Sequence, residues 1–139
     1  MLKRLFDIVV SSVGLILLSP LFLIFAIMVK RDSPGPVFYR APRVGKDGKI
    51  FHMYKFRSMI VDAADVGPAV TVDADPRVTR VGARLRDSRL DEIPQVINVL
   101  KGDMSMVGPR PESPYYVEMF SPEQREVLKV KPGMTGPAQ

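Results

Sequence analysis

Two adjacent carboxylates, Asp91 and Glu92, are the side chains with the clearest capacity for chemistry in this sequence. Pro94 and a run of apolar residues at helical spacing follow them. An ionised carboxylate can attack phosphorus and form an acyl phosphate. Carboxylate oxygens also suit a hard divalent ion such as Mg²⁺. The simpler interpretation is structural, because aspartate caps helices and glutamate favours the first helical turn. Both interpretations remain open at this point.

Basic residues around this dyad favour the chemical interpretation. Arg86 and Arg89 lie just upstream, and Arg110 is held between two prolines. Lys55 lies near the end of a predicted strand, and Arg57 directly follows that strand. Arginines and backbone amides at a helix start can hold phosphate oxygens. The helix dipole there would keep the Asp91 carboxylate ionised.

Composition narrows the class of protein. The 139 residues are enough for one small domain, and the absence of cysteine excludes disulfides and thiolate zinc sites. The single histidine, His52, permits a histidine-dependent triad only if it is the base, and we expect it to be structural. The net charge of +5 suggests phospholipid head groups, phosphorylated substrates or nucleic acid as partners.

A long apolar segment near the N-terminus is the main structural feature. Residues 8–29 carry no charge and would form a helix of about 33 Å, enough to cross a bilayer core of about 30 Å. Ser19-Pro20 in its middle would kink or break the helix. Basic pairs flank both ends, so the positive-inside rule gives no orientation. A spanning helix and a re-entrant hairpin therefore both remain open.

Short elements dominate the rest of the chain, which indicates an α+β fold. Residues 37–40 and 50–56 predict a β-hairpin joined by an Asp-Gly turn. The expected helices are residues 58–65, residues 78–89, a helix capped near Asp91 and ended by Gly102, and residues 121–131 with a capping box. Residues 66–76 predict a surface loop.

The arginine-rich helix at residues 78–89 has two interpretations. Val78, Val81 and Leu85 would share one face, with arginines on the other. Such a helix can lie on an anionic membrane surface, or its charged face can simply be solvated.

Taken together, the motifs resemble the bacterial monotopic phosphoglycosyl transferases, the bacterial sugar transferase family. The resemblance covers essentially the whole chain, and the combination of motifs is highly specific. The matching stretches are Lys3-Arg-Leu-Phe-Asp7, Ser19-Pro20, Ser33-Pro-Gly-Pro-Val-Phe-Tyr39, Lys55-Phe-Arg-Ser-Met59, Leu90-Asp-Glu-Ile-Pro-Gln95, Asn98-Val-Leu-Lys-Gly-Asp-Met-Ser105, Val107-Gly-Pro-Arg-Pro-Glu112 and Lys131-Pro-Gly-Met-Thr-Gly-Pro-Ala-Gln139.

The resemblance implies transfer of a sugar-1-phosphate from a UDP-sugar to undecaprenyl phosphate, with release of UMP, at the start of polysaccharide or glycoconjugate assembly. It implies a ping-pong route in which Asp91 is the nucleophile and Glu92 assists, with Mg²⁺ beside Asp91. The substrate-binding residues that it implies are Lys55, Arg57, Arg86, Pro109, Arg110, Pro111 and Glu112.

The resemblance also implies a topology and a location. The Ser19-Pro20 break makes the membrane helix re-entrant, so we expect an anchor over residues 1–31 and a catalytic domain over residues 32–139. That domain would lie on the cytoplasmic face of the bacterial inner membrane, in contact with its lipids. Larger relatives can form homodimers. Family members usually continue past the final motif, so we expect this domain to be incomplete at its C-terminus.

Two other classes of protein compete with the enzyme. A membrane-anchored basic domain that binds anionic lipid or a partner protein would not need Asp91 for its function. A nucleic-acid-binding domain fits poorly, because few aromatic residues accompany the basic ones and the chain carries a membrane segment. We therefore expect no nucleic-acid partner.

Overall fold

The computed structural model describes residues 1–68 and 71–137, and the described chain confirms the predicted α+β class. In chain order, the elements are α1 (Leu2–Asp32), β1 (Phe38–Val44), a 3₁₀ turn (Lys46–Gly48), β2 (Ile50–Phe56), α2 (Arg80–Asp87), a 3₁₀ turn (Leu90–Glu92), α3 (Gln95–Lys101), β3 (Ser105–Val107), α4 (Pro114–Glu118), a 3₁₀ helix (Gln124–Lys129) and β4 (Gly133–Thr135). Within the described residues, two two-stranded sheets pair β1 with β2 and β3 with β4.

Helix α1 has 31 residues, which corresponds to a length of about 46 Å. It is helical through Pro20, so the Ser19-Pro20 pair does not end the helix. Among the described residues, it is the one helix long and apolar enough to cross a membrane, and most of it is not covered by the protein. Length and composition therefore indicate membrane association, and the re-entrant topology stays a prediction.

The chain divides into two compact units. The first comprises residues 1–18, residues 40–54 and the part of the chain that follows Ile93. Its apolar core contains Met53, Val99 and Met104, with Phe51 packed against them. Strands β3 and β4 run parallel, with Ser105 opposite Gly133 and Val107 opposite Thr135.

The start of α1 is fixed within this first unit by polar contacts. Asp7 is buried, and its Oδ1 accepts hydrogen bonds from Ser105 Oγ at 3.1 Å and Met106 N at 2.9 Å. Arg4 donates to the carbonyl oxygens of Val99 and Leu100 at the end of α3. These contacts satisfy charged groups that would otherwise be costly to bury.

The second unit comprises residues 19–39 and 55–93. Phe56 is buried at its centre, and the rings of Phe22, Phe25 and Phe38 lie 5.5–5.7 Å from the Phe56 ring. Leu85 of α2 joins the same cluster. The second half of α1 therefore contributes directly to the core of this unit.

Several sequence predictions are confirmed and others are wrong. The hairpin is present, and its first strand extends to Val44. Gly102 ends α3 with a positive φ of 94°. Residues 58–65 contain no helix, because Met59 instead bridges to Val78. That bridge also delays α2, which Thr79 caps.

The 121–131 segment keeps its predicted capping box, in which Ser121 and Gln124 exchange hydrogen bonds. The helix that follows is a 3₁₀ helix ending at Lys129, shorter than predicted. Helix α4 and the β3–β4 pair were not predicted. The start of α4 carries a signal that could have revealed it, Ser113 followed by Pro114.

Candidate active site

The dyad lies in a 3₁₀ turn that precedes α3. Arg89 has a left-handed backbone, with a φ of 57°, and its carbonyl accepts the Glu92 N–H at 3.3 Å. Helix α3 begins only at Gln95, with Pro94 as its N-cap residue. The prediction that Asp91 caps a helix is therefore wrong, because the chain turns at Arg89 and tightens into a 3₁₀ turn first.

Glu92 pairs with a lysine from the end of β2. Lys55 Nζ lies 2.7 Å from Glu92 Oε1, and both side chains are partly shielded, with 18% and 27% of their surface exposed. A half-buried ion pair of this length fixes both side chains more firmly than a fully solvated one. This contact brings Lys55 next to the dyad, and the predicted contact of Lys55 with substrate stays a prediction.

Asp91 is buried, with 8% of its surface exposed. Burial is the main cause that raises the pKa of Asp91 above its usual value, and the neighbouring Glu92 carboxylate raises it further. The positive charges of Lys55 and Arg86 oppose this shift. The expected stabilisation of the ionised carboxylate by a helix start is outweighed here, because desolvation, which favours the protonated form, has the larger effect on the pKa of Asp91.

Arg86 reaches the surroundings of Asp91 from α2. Its Nη2 donates to Thr71 Oγ1 at 3.0 Å, and its charge acts on the Asp91 carboxyl. Thr71 was not predicted as a site residue. It lies in a loop without periodicity, and no sequence signal marks a threonine there as a partner of Arg86.

Arg57 occupies a structural position. It is buried, and its guanidinium donates to the carbonyl oxygens of Val29, Ser33 and Pro34 at the end of α1. Among the described residues, its Nε is buried without a hydrogen-bond partner. These contacts hold the chain where α1 ends, and the predicted contact of Arg57 with substrate stays a prediction.

Residues 109–112 belong to the first compact unit. They form the turn between β3 and α4, which is held by hydrogen bonds from Gly133 N to Pro109 O at 2.8 Å and from Val44 N to Glu112 O at 2.9 Å. Arg110 and Pro111 line a small cavity together with residues of α4 and the following 3₁₀ helix. Stiff prolines and these bonds preorganise the turn.

A divalent ion would find few protein ligands here. The described residues contain no group of three His, Cys, Asp or Glu side chains placed to hold a metal. Mg²⁺ is commonly bound by one or two carboxylates, with substrate phosphates and water completing its shell. The two carboxylates of the dyad are compatible with that mode, and Mg²⁺ beside Asp91 stays a prediction.

The fold and the dyad define a membrane-associated α+β protein with a buried, cation-flanked carboxylate. The chain matches the family described as bacterial sugar transferase over residues 1–139. It therefore belongs to the bacterial sugar transferase family.

Three relatives show the range of this similarity. The exopolysaccharide production protein PSS of Rhizobium leguminosarum bv. phaseoli is 48% identical over 99% of this chain and 72% of its own length. A UDP-glucose:undecaprenyl-phosphate glucose-1-phosphate transferase of Klebsiella pneumoniae is 51% identical over 99% of this chain. A UDP-N-acetylgalactosamine-undecaprenyl-phosphate N-acetylgalactosaminephosphotransferase of Aeromonas hydrophila is 46% identical, also over 99% of this chain. The chain spans only 30% and 33% of the lengths of these last two proteins.

Proposed function

We propose that this chain transfers a sugar-1-phosphate from a UDP-sugar to undecaprenyl phosphate and releases UMP. The observation that carries the proposal is the buried Asp91 carboxylate, with Lys55 and Arg86 supplying positive charge around it. The names of its relatives support the same reaction, and they differ mainly in the sugar that is transferred.

The reaction proceeds in two displacements at one carboxylate. A carboxylate oxygen of Asp91 attacks the phosphorus that bears the sugar, and the bond from that phosphorus to the UMP oxygen breaks. UMP leaves with the bonding electron pair, and an acyl phosphate carrying the sugar stays on Asp91. A phosphate oxygen of undecaprenyl phosphate then attacks the same phosphorus, and the bond to Asp91 breaks.

The residues around Asp91 have separate tasks in this scheme. Lys55 neutralises negative charge next to the dyad and fixes Glu92, which assists in proton transfer and phosphate positioning. Arg86 holds oxygens of the transferred phosphate. The family resemblance is the support for Pro109-Arg110-Pro111 as residues that help bind the uridine diphosphate end of the donor. Mg²⁺, bound through Asp91 and the donor phosphates, would neutralise charge on the diphosphate.

Each end of α1 is bound to residues that follow the helix in the chain. Arg4 and Asp7 bind residues that follow α1 in the chain, Val99 and Met106 among them. At the other end, Asp32 binds Val81. The described chain after α1 has no second helix long enough to cross a bilayer. The family resemblance implies a re-entrant helix, and on that ground we propose that both ends of α1 lie on the cytoplasmic side of the membrane.

The test is UMP release from a panel of UDP-sugars, with undecaprenyl phosphate and Mg²⁺, by the wild-type chain and by Asp91→Asn. We expect release with one donor and its loss in Asp91→Asn. Release that Asp91→Asn retains would contradict the proposal. If the wild-type chain releases no UMP, the other candidate remains, a membrane-anchored basic domain that binds anionic lipid or a partner protein.

A further inference from the structure

The end of α1 is attached to its compact unit by two side chains. We call residues 29–35 the exit segment. Arg57 donates to three carbonyl oxygens of this segment, as described above. Asp32, at the last position of α1, accepts the Val81 N–H through Oδ2 at 2.8 Å. The exit segment is therefore joined both to the residue after β2 and to the first turn of α2.

Two side chains accept backbone N–H groups at the start of α2, one from the local N-cap residue and one from a distant residue. Thr79 is the N-cap residue, and its Oγ1 accepts the Gly82 N–H at 3.0 Å. This local cap is sufficient to satisfy an exposed helix start in the usual way. The Asp32 carboxylate comes from 49 residues earlier in the sequence. Because it is remote, it fixes where the helix lies as well as how the helix begins.

Helix α2 also packs closely against the chain at Ser58. A Cβ atom on Gly82 would lie 2.1 Å from the carbonyl oxygen of Ser58, so the helix backbone rests directly on that chain segment. Thr79 N donates to the same oxygen at 3.0 Å. The helix start is thus held from two directions, by Ser58 and by Asp32.

Helix α2 carries Arg86, one of the two cations whose charge acts on the Asp91 carboxyl. Arg86 lies in the last turn of α2 and is partly buried, whereas Arg84 on the same helix is exposed. A tilt of the helix about its first turn would move Arg86 away from Thr71 and from the Asp91 carboxyl. A displacement of about 1 Å in a substrate-positioning group is enough to slow a reaction greatly.

We propose that Asp32 is a positioning residue, which seats α2 on the exit segment of the membrane helix and thereby holds Arg86 in place. The consequence of that placement for phosphate binding rests on the proposed function. The placement itself does not, and it can be measured without any turnover.

The direct test is labelling of arginines by phenylglyoxal in the full chain, reconstituted in lipid nanodiscs and read by mass spectrometry. The ratio of Arg86 to Arg84 labelling is the readout, because both arginines share one helix. We expect Asp32→Ala to raise this ratio at least about threefold. Asp32→Asn retains an acceptor oxygen for Val81 N, so its ratio stays within about twofold of wild type.

Thr79→Ala is the matched control, because it removes the local cap of the same helix and leaves the remote contact intact. We expect its ratio to stay near wild type. An unchanged ratio in Asp32→Ala, or an equal rise in Thr79→Ala, would overturn the proposal. If Asp32→Ala does not fold, Asp32→Glu replaces it. That variant keeps the charge but moves the acceptor by one methylene, so the ratio should rise, and an unchanged ratio would again overturn the proposal.

A second test measures kcat. We expect Asp32→Ala to lower kcat about tenfold in the wild-type background and to cause no further loss in an Arg86→Gln background. Independent losses in the two backgrounds would contradict an action through Arg86. If the wild type releases no UMP, the proposed function fails, whereas the labelling result still decides the role of Asp32.

Discussion

At the scale of single residues, Asp91 combines two opposing demands. Burial raises its pKa and so increases the basicity of the carboxylate, while Lys55 and Arg86 favour the ionised form that attacks phosphorus. The sequence indicated the dyad and its cations through residue type and spacing. It could not indicate the burial of Asp91, because that depends on how the 3₁₀ turn packs.

The charges around Asp91 predict opposite shifts in two variants. Lys55→Gln removes a cation and should raise the pKa of Asp91 further. Glu92→Gln removes a like charge and should lower it. The measurement is a ¹³C NMR titration of the Asp91 carboxyl without divalent ions, in which the wild-type midpoint should lie above 3.8. Shifts of the same sign in the two variants would contradict this account of the site.

The burial of Asp91 should also make the stability of the fold depend on pH. Because the folded pKa of Asp91 is raised, the folded state holds its proton more tightly than the unfolded chain does. The contribution of Asp91 to stability therefore falls as pH rises from 3.8 through the folded pKa. We expect Asp91→Asn to melt at a higher temperature than wild type at pH 7. The difference should shrink below pH 4, and a lower melting temperature at pH 7 would refute this prediction.

At the scale of elements, the sequence correctly predicted the structures that depend on residues close together in the chain. Asp47-Gly48 predicted the turn of the hairpin, and Gly102 predicted the end of α3. The β3–β4 pair was missed because each strand has three residues and its partner lies far along the chain. The 58–65 helix was wrong because Met59 pairs with Val78, a contact that no local pattern contains.

The close packing of α2 against Ser58 predicts that adding one methyl group at Gly82 destabilises the fold. Gly82→Ala places a methyl group against the Ser58 carbonyl and should destabilise the fold by about 2 kcal/mol or more. Urea unfolding measures this effect. Ala83→Ser, at the exposed neighbouring position, should cost no more than about 0.5 kcal/mol and serves as the control. Equal effects of the two substitutions would show that the close contact with Ser58 is unimportant.

At the scale of the whole molecule, the sequence predicted the family and the apolar segment from motifs and hydropathy. The topology of that segment could not follow from its flanking charges, which are balanced. The polar contacts of Arg4, Asp7 and Asp32 join α1 to chain segments far away in sequence, so no local pattern could have indicated them.

The re-entrant topology can be tested with cysteines, since the chain has none of its own. Single variants Leu2→Cys and Ser33→Cys mark the two ends of α1, and Asp47→Cys reports the side on which the hairpin turn lies. We expect all three to react with a membrane-impermeant maleimide from the same side of inverted membrane vesicles. Labelling of Leu2→Cys from the opposite side would establish a spanning helix.

The most direct measurement of the central claim is the mass of the intact protein after incubation with its UDP-sugar and Mg²⁺ in the absence of undecaprenyl phosphate. The two-step route predicts a mass increase of one sugar phosphate on Asp91 with release of UMP. That increase should disappear when undecaprenyl phosphate is added, and it should be absent in Asp91→Asn. UMP release only when both substrates are present, with no adduct on Asp91, would contradict the covalent route.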